Sequence, residues 1–157
     1  MDKETFTRAA ERNSRRLYLI ALSFTGNHAD AEDMLQNTLL KLWQRAKAFT
    51  DEQHMDKWLT AVCVNECKSL LRSLHRAKNT ALEEAQGLFT FDTPRDLQVF
   101  AAVMALPAKE RIVIHLFYYE DLSVNEIAKA LGISAGAAKT RLSRARKTLK
   151  EKLGDEY

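Results

Sequence analysis

Apolar residues recur along this chain at intervals of three and four positions, and no stretch of useful length alternates apolar with polar residues. A repeat of this kind has the period of an amphipathic α-helix. Pro occurs at only two positions and Gly at five, so few residues interrupt the helices. The pattern therefore predicts an all-α protein. Helices are expected at about 2–24, 29–45 and 56–76, and others are expected to begin near Pro94, Pro107, Ser123 and Ser134.

The region from Ser123 to Leu149 contains the signals of two helices joined by a tight turn. Ser123 and Glu126 have the spacing of a capping box, and Gly132 stands where a helix would end in a left-handed residue. Ser134 follows closely enough to cap a second helix. Two helices joined by so short a turn are typical of a helix-turn-helix motif.

The second helix of this motif is apolar on one side and rich in basic and hydroxyl residues on the other. The apolar stripe, which would dock the helix, consists of Ala135, Ala138, Leu142, Ala145, Leu149 and Leu153. The opposite side carries Ala137, Thr140, Arg141, Ser143, Arg144, Lys147 and Thr148. Short side chains beside guanidinium groups suit a helix that enters the DNA major groove. A solvated basic helix on a bundle is the alternative, but the capping box, the turn glycine and the charge together favour DNA binding.

The formal net charge of the chain is only +3, yet its basic residues are concentrated near the C-terminal end. Between Lys129 and Lys152 eight basic residues face a single acidic one, Glu151. A basic concentration of this kind predicts a polyanionic partner.

The second predicted helix is apolar on more than one side. Besides an ordinary core stripe, Leu40 and Trp43 project with Asp33 and Gln36 toward a different side of the helix. Either another helix covers these two apolar side chains, or they form a surface that docks a partner protein. Periodicity alone favours neither interpretation.

The third predicted helix has a core stripe and a separate face with possible nucleic-acid chemistry. The core stripe includes both cysteines of the chain, Cys63 and Cys67. The other face collects an aromatic ring, an amide and several basic side chains: Trp58, Asn65, Lys68, Arg72 and Arg76. Such a set can stack on unpaired bases, bond to them and contact phosphates. The alternative is a core tryptophan beside solvated charges, and the joint arrangement favours the nucleic-acid interpretation.

Residues 79–93 carry acidic but no basic side chains and lack a helical pattern. We interpret this segment as a flexible linker. It divides the chain into a predicted N-terminal domain, 1–78, and a predicted helix-turn-helix domain, 94–157.

Catalytic, metal-binding and membrane functions find little support in the sequence. The four histidines are scattered, and no HExxH, P-loop or nucleophile-elbow motif occurs. No apolar run approaches the length of a membrane span, and the charged N-terminus does not resemble a signal peptide. Two cysteines within a core stripe fit buried thiols in a reducing cytoplasm. We therefore expect no enzyme activity, no cofactor and no metal.

These blocks, in this order, resemble the extracytoplasmic-function sigma factors of bacterial RNA polymerase in their minimal two-domain form. The resemblance covers nearly the whole chain. It rests on Asp30-Ala-Glu-Asp-Met-Leu-Gln with Leu42-Trp43, on Trp58-Leu59 with Asn65 and Arg72, and on Leu106-Pro107 with Arg111, Glu126-Ile-Ala and the helix from Gly136 to Arg146.

The resemblance implies a role for each face. The helix carrying Asp33, Gln36, Leu40 and Trp43 would dock on core RNA polymerase. The helix carrying Trp58, Asn65, Lys68, Arg72 and Arg76 would bind the single-stranded promoter element near the start site, with Asn65 in a pocket for a flipped base. In the last helix, Lys139, Thr140, Ser143 and Arg144 match positions that contact the duplex upstream element, and Arg141, Arg146 and Lys147 are better placed for phosphates. The family further suggests an anti-sigma factor as a partner.

The leading hypothesis is thus a non-catalytic protein that gives core polymerase its promoter specificity. The alternative is a dimeric helix-turn-helix regulator that binds duplex operators without joining polymerase. The two hypotheses differ in whether the N-terminal helices bind polymerase or a second copy of the chain.

Overall fold

The computed structural model describes residues 1–73 and 93–154. Within these ranges the chain is helical and forms no strand, which confirms the predicted all-α class. The helices are α1 (Lys3–Thr25), α2 (His28–Gln44), α3 (Glu52–Ser73), α4 (Pro94–Met104), α5 (Ala108–Tyr118), α6 (Val124–Leu131) and α7 (Ala135–Leu153).

Short polar residues and glycine set the helix boundaries where the sequence predicts them. Gly26 ends α1 in the left-handed region, with φ of 73°. The side chain of Asn27 caps α2 by accepting a hydrogen bond from the backbone N–H of Asp30 at 2.9 Å. Thr93 caps α4 in the same way, with Pro94 at its first position. These local bonds satisfy N–H groups that have no partner within the helix.

The start of α3 differs from the prediction. The helix begins at Glu52, one turn before the predicted Asp56. Asp51 explains the difference, because its Oδ1 accepts a hydrogen bond from the backbone N–H of His54 at 2.7 Å and so acts as an N-cap. Residues 52–54, which the polar pattern assigned to a loop, therefore belong to the first turn of α3.

Helices α1, α2 and α3 pack against one another as an N-terminal helical unit. Its interior contains Leu17, Phe24, Leu42, Leu59 and Cys63, all almost fully buried. Cys63 and Cys67 are free buried thiols, as the core stripe predicts.

Helices α4 to α7 form a C-terminal helical unit in which α5 and α6 both pack on α7. The two units also touch each other, since α5 lies against α1 and α6 lies against α3. Their buried residues form one continuous hydrophobic cluster. The predicted linker lies outside the described residues except for Thr93, and the predicted domain limits stay a prediction.

Candidate nucleic-acid interface

The helix-turn-helix is built by α6, a three-residue turn and α7. The capping box of α6 is complete: the N–H of Glu126 donates to Ser123 Oγ at 3.1 Å, and the N–H of Ser123 donates to Glu126 Oε1 at 2.9 Å. The hydrogen bond from the Ser123 N–H to the Glu126 carboxylate lowers the pKa of that carboxyl below its ordinary value. Gly132 ends α6 with φ of 69°, and the Ser134 hydroxyl caps α7 through the N–H of Ala137 at 3.0 Å. Each local signal thus has its expected structure.

The apolar stripe of α7 docks the helix on the protein through Ala138, Leu142 and Ala145, which are buried. Ala135, which the periodicity assigned to this stripe, is exposed instead. It lies in the first turn, before the helix reaches the core. The stripe is therefore shorter at its N-terminal end than the pattern predicted.

The opposite side of α7 carries the predicted duplex-binding residues. Six of them are exposed: Lys139, Thr140, Ser143, Arg144, Arg146 and Lys147. Arg141 is half-buried. No acidic side chain lies in the first turn of this helix, where its positive end would attract a phosphate. An exposed face of hydroxyl and basic side chains on a docked helix suits entry into a major groove.

Arg146 differs from its basic neighbours on α7 because it has partners on α5. Its Nε donates a hydrogen bond to the Tyr118 hydroxyl at 2.8 Å. Its guanidinium lies 5.1 Å from the centre of the Phe117 ring, within the range of a cation–π interaction. The structure therefore places Arg146 at the contact between α7 and α5 and leaves it exposed there.

The structure brings together only some of the α3 residues that were predicted to bind a single DNA strand. Asn65 and Arg72 are exposed, whereas Lys68 is half-buried and its Nζ donates to the backbone carbonyl of Ala130 at 2.9 Å. Asn65 and Lys68 line a cleft of about 1090 Å³ between α3 and α6. Arg76 lies outside the described residues.

Trp58 belongs to an aromatic cluster that sequence reasoning missed. The Arg45 guanidinium lies 4.1 Å from the centre of the Phe49 ring and 4.9 Å from that of Trp58. Phe49 meets Trp58 edge to face, with ring centres 5.5 Å apart, and lies similarly against His54. The sequence does show the arginine and the aromatic residue of this cluster just after α2. Outside a helix, however, spacing alone does not show which side chains meet.

The predicted polymerase-docking side of α2 is exposed. Asp33 and Gln36 are open to solvent, Leu40 is 52% exposed and Trp43 is 46% exposed. The Trp43 ring also contacts Phe6 of α1 edge to face at 5.2 Å. No described helix covers these apolar side chains, which favours the docking surface over the alternative that periodicity left open.

At least three polar contacts between described residues join the two helical units. Arg16 of α1 forms an ion pair with Glu120, with Nη1 and Oε1 2.6 Å apart. Arg111 of α5 donates to the backbone carbonyl of Ser23 at 2.6 Å, and Lys68 makes the third contact. Burial raises the pKa of Glu120, an effect that Arg16 opposes, and burial lowers the pKa of Arg111. The sequence gives no signal of these contacts because their members are far apart along the chain.

Among the described residues, no group of three or more His, Cys, Asp or Glu side chains is arranged to hold a metal ion. None of the helices in that part of the chain is long and apolar enough to cross a membrane. His115 is buried without a partner for Nε2, and its burial lowers its pKa to about 4. Its ring stacks on Tyr119 at 5.1 Å.

Each of the two helical units matches a known family model. Residues 9–77 match the model of sigma-70 region 2, and residues 96–149 match that of sigma-70 region 4. The ECF RNA polymerase sigma factor SigL of Mycobacterium tuberculosis is 32% identical over 142 residues, covering 85% of this chain and 80% of the relative. SigM of the same species, also an ECF RNA polymerase sigma factor, is 28% identical over 98% of this chain and 79% of the relative.

Solved structures of similar fold include the sigma factor RpoE in complex with the anti-sigma factor NepR from Bartonella quintana. It superposes with a TM-score of 0.69 at 25% identity, covering 98% of this chain and 99% of the other. CnrH, in a complex with the cytosolic domain of CnrY, gives a TM-score of 0.62 at 26% identity, over 99% and 92% of the two chains.

The fold and the exposed basic face of α7 define a helical DNA-binding protein with a C-terminal helix-turn-helix. The matches then identify it further: the chain belongs to the extracytoplasmic-function family of RNA polymerase sigma factors. Its function is to give core RNA polymerase promoter specificity at transcription initiation. Matches to both sigma regions decide against the alternative of a dimeric regulator that acts without polymerase.

Proposed function

We propose that this sigma factor uses three separate surfaces, one for polymerase and two for promoter DNA. The observation that carries the proposal is the face of α7, where Lys139, Thr140, Ser143 and Arg144 are exposed while the opposite side is buried. A rigidly docked helix with such a face presents its side chains to base edges in one orientation. Arg141 and Lys147, with Arg146 at the edge, would contact phosphates and position the helix.

The second surface is the side of α3 that carries Asn65, Lys68 and Arg72, to which Arg76 would add a further charge. We infer that it holds an unpaired promoter strand. An exposed amide can bond to a flipped base, and the basic side chains can contact the phosphates that follow. Trp58 would act through the aromatic cluster described above, as the wall against which a base stacks.

The third surface is the exposed side of α2, formed by Asp33, Gln36, Leu40 and Trp43, and we infer that core RNA polymerase docks there. Exposed apolar side chains rimmed by polar ones are typical of protein interfaces. Phe6 contacts the Trp43 ring edge to face, and this contact restricts the ring before a partner arrives.

We infer that an anti-sigma factor regulates this protein, since both solved neighbours above are complexes, one of them with a named anti-sigma factor. We also infer that the chain has no catalytic chemistry of its own and acts in the cytoplasm, where RNA polymerase works. Co-purification from the native cell would test the partners, with polymerase subunits and an anti-sigma protein as the expected companions.

The function itself can be tested by transcription of genomic DNA from the source organism with purified core polymerase. We expect new RNA 5′ ends when the protein is added, and we expect the DNA upstream of them to share two short elements. Core polymerase alone provides the control. If the 5′ ends are the same with and without the protein, the proposal is wrong.

Two variants test the division between the DNA surfaces in the polymerase complex. Arg144→Ala should weaken binding to the upstream duplex about 5- to 100-fold, the range expected for losing one good base contact. Asn65→Ala should spare duplex binding and reduce open-complex formation, measured by permanganate reactivity of unpaired thymines. Lys109→Ala, which removes an exposed charge from α5, is the control. Equal losses from both variants in both assays would contradict the division.

A further inference from the structure

Arg45, just after the end of α2, is held against two aromatic rings. Its guanidinium carbon lies 4.1 Å from the centre of the Phe49 ring and 4.9 Å from the centre of the Trp58 ring. Its Nε donates a hydrogen bond to the backbone carbonyl of Lys47 at 2.8 Å. A cation over an aromatic ring is attracted by the negative face of that ring. The rings and the carbonyl together therefore restrict the position of the guanidinium.

The segment that carries Phe49 is fixed in turn by α3. Phe49 meets Trp58 edge to face at 5.5 Å and His54 edge to face at 5.2 Å, and both partners belong to α3. The backbone N–H of Thr50 donates a hydrogen bond to His54 Nδ1 at 3.2 Å. These contacts tie the segment after α2 to α3, so the position of Arg45 is set before any partner binds.

Arg45 has no carboxylate partner among the described residues. The acidic side chains at the start of α3 are engaged elsewhere, since Asp51 caps the helix and both Glu52 and Asp56 pair with Arg12. The two terminal nitrogens of Arg45 make no hydrogen bond to any described residue. A guanidinium whose terminal N–H groups are positioned but not engaged suits a bidentate contact with a phosphate.

Arg45 lies near one end of the face of α3 that carries Asn65. Trp58, beside Arg45, and Asn65 are seven positions apart, so they share a side of the helix and are about 10 Å apart along its axis. Ala61, an exposed residue with a small side chain, lies between them on the same side. At about 3.4 Å per nucleotide of a stacked strand, about three nucleotides span this distance.

We propose that Arg45 binds a phosphate of the unpaired promoter strand, within about three nucleotides of the base that Asn65 holds. Phe49 and Trp58 orient the guanidinium, so a strand that lies along α3 meets a preformed positive charge at one end of the face and an amide at the other. This contact rests on the proposed function of α3 as the strand-binding surface. The alternative is an arginine that only stabilises the aromatic cluster.

The test uses the complex with core polymerase and a labelled oligonucleotide that carries the unpaired strand of a promoter from which the complex initiates. Arg45→Met removes the charge and keeps an unbranched apolar side chain against the rings, whereas Arg45→Lys keeps the charge. Arg8→Met makes the same change at an exposed position of α1 and is the control. Fluorescence anisotropy at several salt concentrations gives the affinities, and urea denaturation of the free chain checks that each variant is folded.

We expect Arg45→Met to weaken strand binding about 10-fold, as the loss of one charge-assisted hydrogen bond should. The slope of log affinity against log salt concentration should fall in magnitude by about 0.7, the value for one phosphate of a single strand. Arg45→Lys should retain the slope because it retains the charge. Arg8→Met should resemble the wild type in both quantities.

A second measurement locates the phosphate. Oligonucleotides that each carry one uncharged methylphosphonate linkage are compared in the wild type and in Arg45→Met. One linkage should weaken binding by the wild type and have no further effect in Arg45→Met, because the two changes remove the same contact. This linkage should lie within about three nucleotides of the base whose replacement has no further effect in Asn65→Ala.

The proposal is overturned if a folded Arg45→Met variant keeps the affinity and the salt slope of the wild type, since Arg45 then only stabilises the aromatic cluster. It is also overturned if no methylphosphonate linkage within about three nucleotides of the Asn65 base weakens binding by the wild type. This second result does not require Arg45→Met to fold.

Failure of the proposed function has a different signature, because Asn65→Ala would then bind the strand as tightly as the wild type. If Asn65→Ala weakens binding and Arg45→Met does not, the strand-binding face of α3 stands and Arg45 is not part of it.

Discussion

Two leucines two positions apart on α2 allow the polymerase-docking surface to be separated from the core. Leu40 is 52% exposed, whereas Leu42 is fully buried. Fully burying a leucine side chain is worth about 1.5 to 3 kcal/mol, so the half of Leu40 that the fold leaves open can contribute about 1 to 1.5 kcal/mol to a partner that covers it. Leu40→Ala should therefore weaken binding to core polymerase about 5- to 10-fold.

The same substitution at Leu42 should act on stability instead. Leu42→Ala removes buried methyl groups and leaves a cavity, so the free energy of unfolding should fall by about 2 to 5 kcal/mol. For Leu40→Ala the corresponding loss should stay below about 1.5 kcal/mol, because the fold buries only half of the side chain. Leu40 is a cleaner probe than Trp43, whose truncation would also remove the contact with Phe6.

Urea denaturation gives the free energies of unfolding, and fluorescence anisotropy of the labelled protein titrated with core polymerase gives the affinities. The assignment of Leu40 to the polymerase-docking surface is wrong if Leu40→Ala binds polymerase as tightly as the wild type. It also fails if the two substitutions destabilise the protein equally, since Leu40 would then behave as a core residue.

Three further predictions follow from individual contacts. The buried neutral His115 has its pKa lowered to about 4, so unfolding takes up a proton below about pH 6.5, and stability should fall by about 3 kcal/mol between pH 7 and 4. Urea denaturation at several pH values should show that His115→Phe loses this part of the pH dependence; identical profiles would refute it. Ser123→Ala should reduce the free energy of unfolding by about 1 kcal/mol, with Ser123→Thr retaining most of the cap. Arg146→Ala should alter the salt dependence of upstream-duplex binding by the polymerase complex less than Lys147→Ala, because Arg146 is already bonded to Tyr118; a larger effect of Arg146→Ala would contradict this assignment.

The features that the sequence predicted well are those set by neighbours along the chain. The capping box at Ser123, the left-handed Gly132 and the cap at Ser134 depend on residues three or four apart, so their structures follow from local hydrogen bonding. The helical period also predicts which residues of α2 and α7 share one side of each helix. For the same reason the exposed face of α7 was predictable. Periodicity also separated Leu40 and Trp43 from the core stripe of α2, but it did not show that they are exposed.

Periodicity could not show what a helical face meets. Trp58 was assigned to a strand-binding face, but its environment is determined by Arg45 and Phe49, which reach it from the segment between α2 and α3. Arg146 was grouped with phosphate-binding residues, yet its partner Tyr118 is 28 positions earlier. Lys68 is tied to Ala130, 62 positions later. Side chains this far apart meet only when the helices pack.

The sequence by itself therefore determined the helices, their caps, the helix-turn-helix and the charge of its second helix, because each depends on interactions within a few residues. Only the tertiary structure decided how the two helical units meet, with Arg16 against Glu120 across 104 positions of the chain. That contact depends on the packing of α5 and α6 against α1 and α3, and no local pattern encodes it.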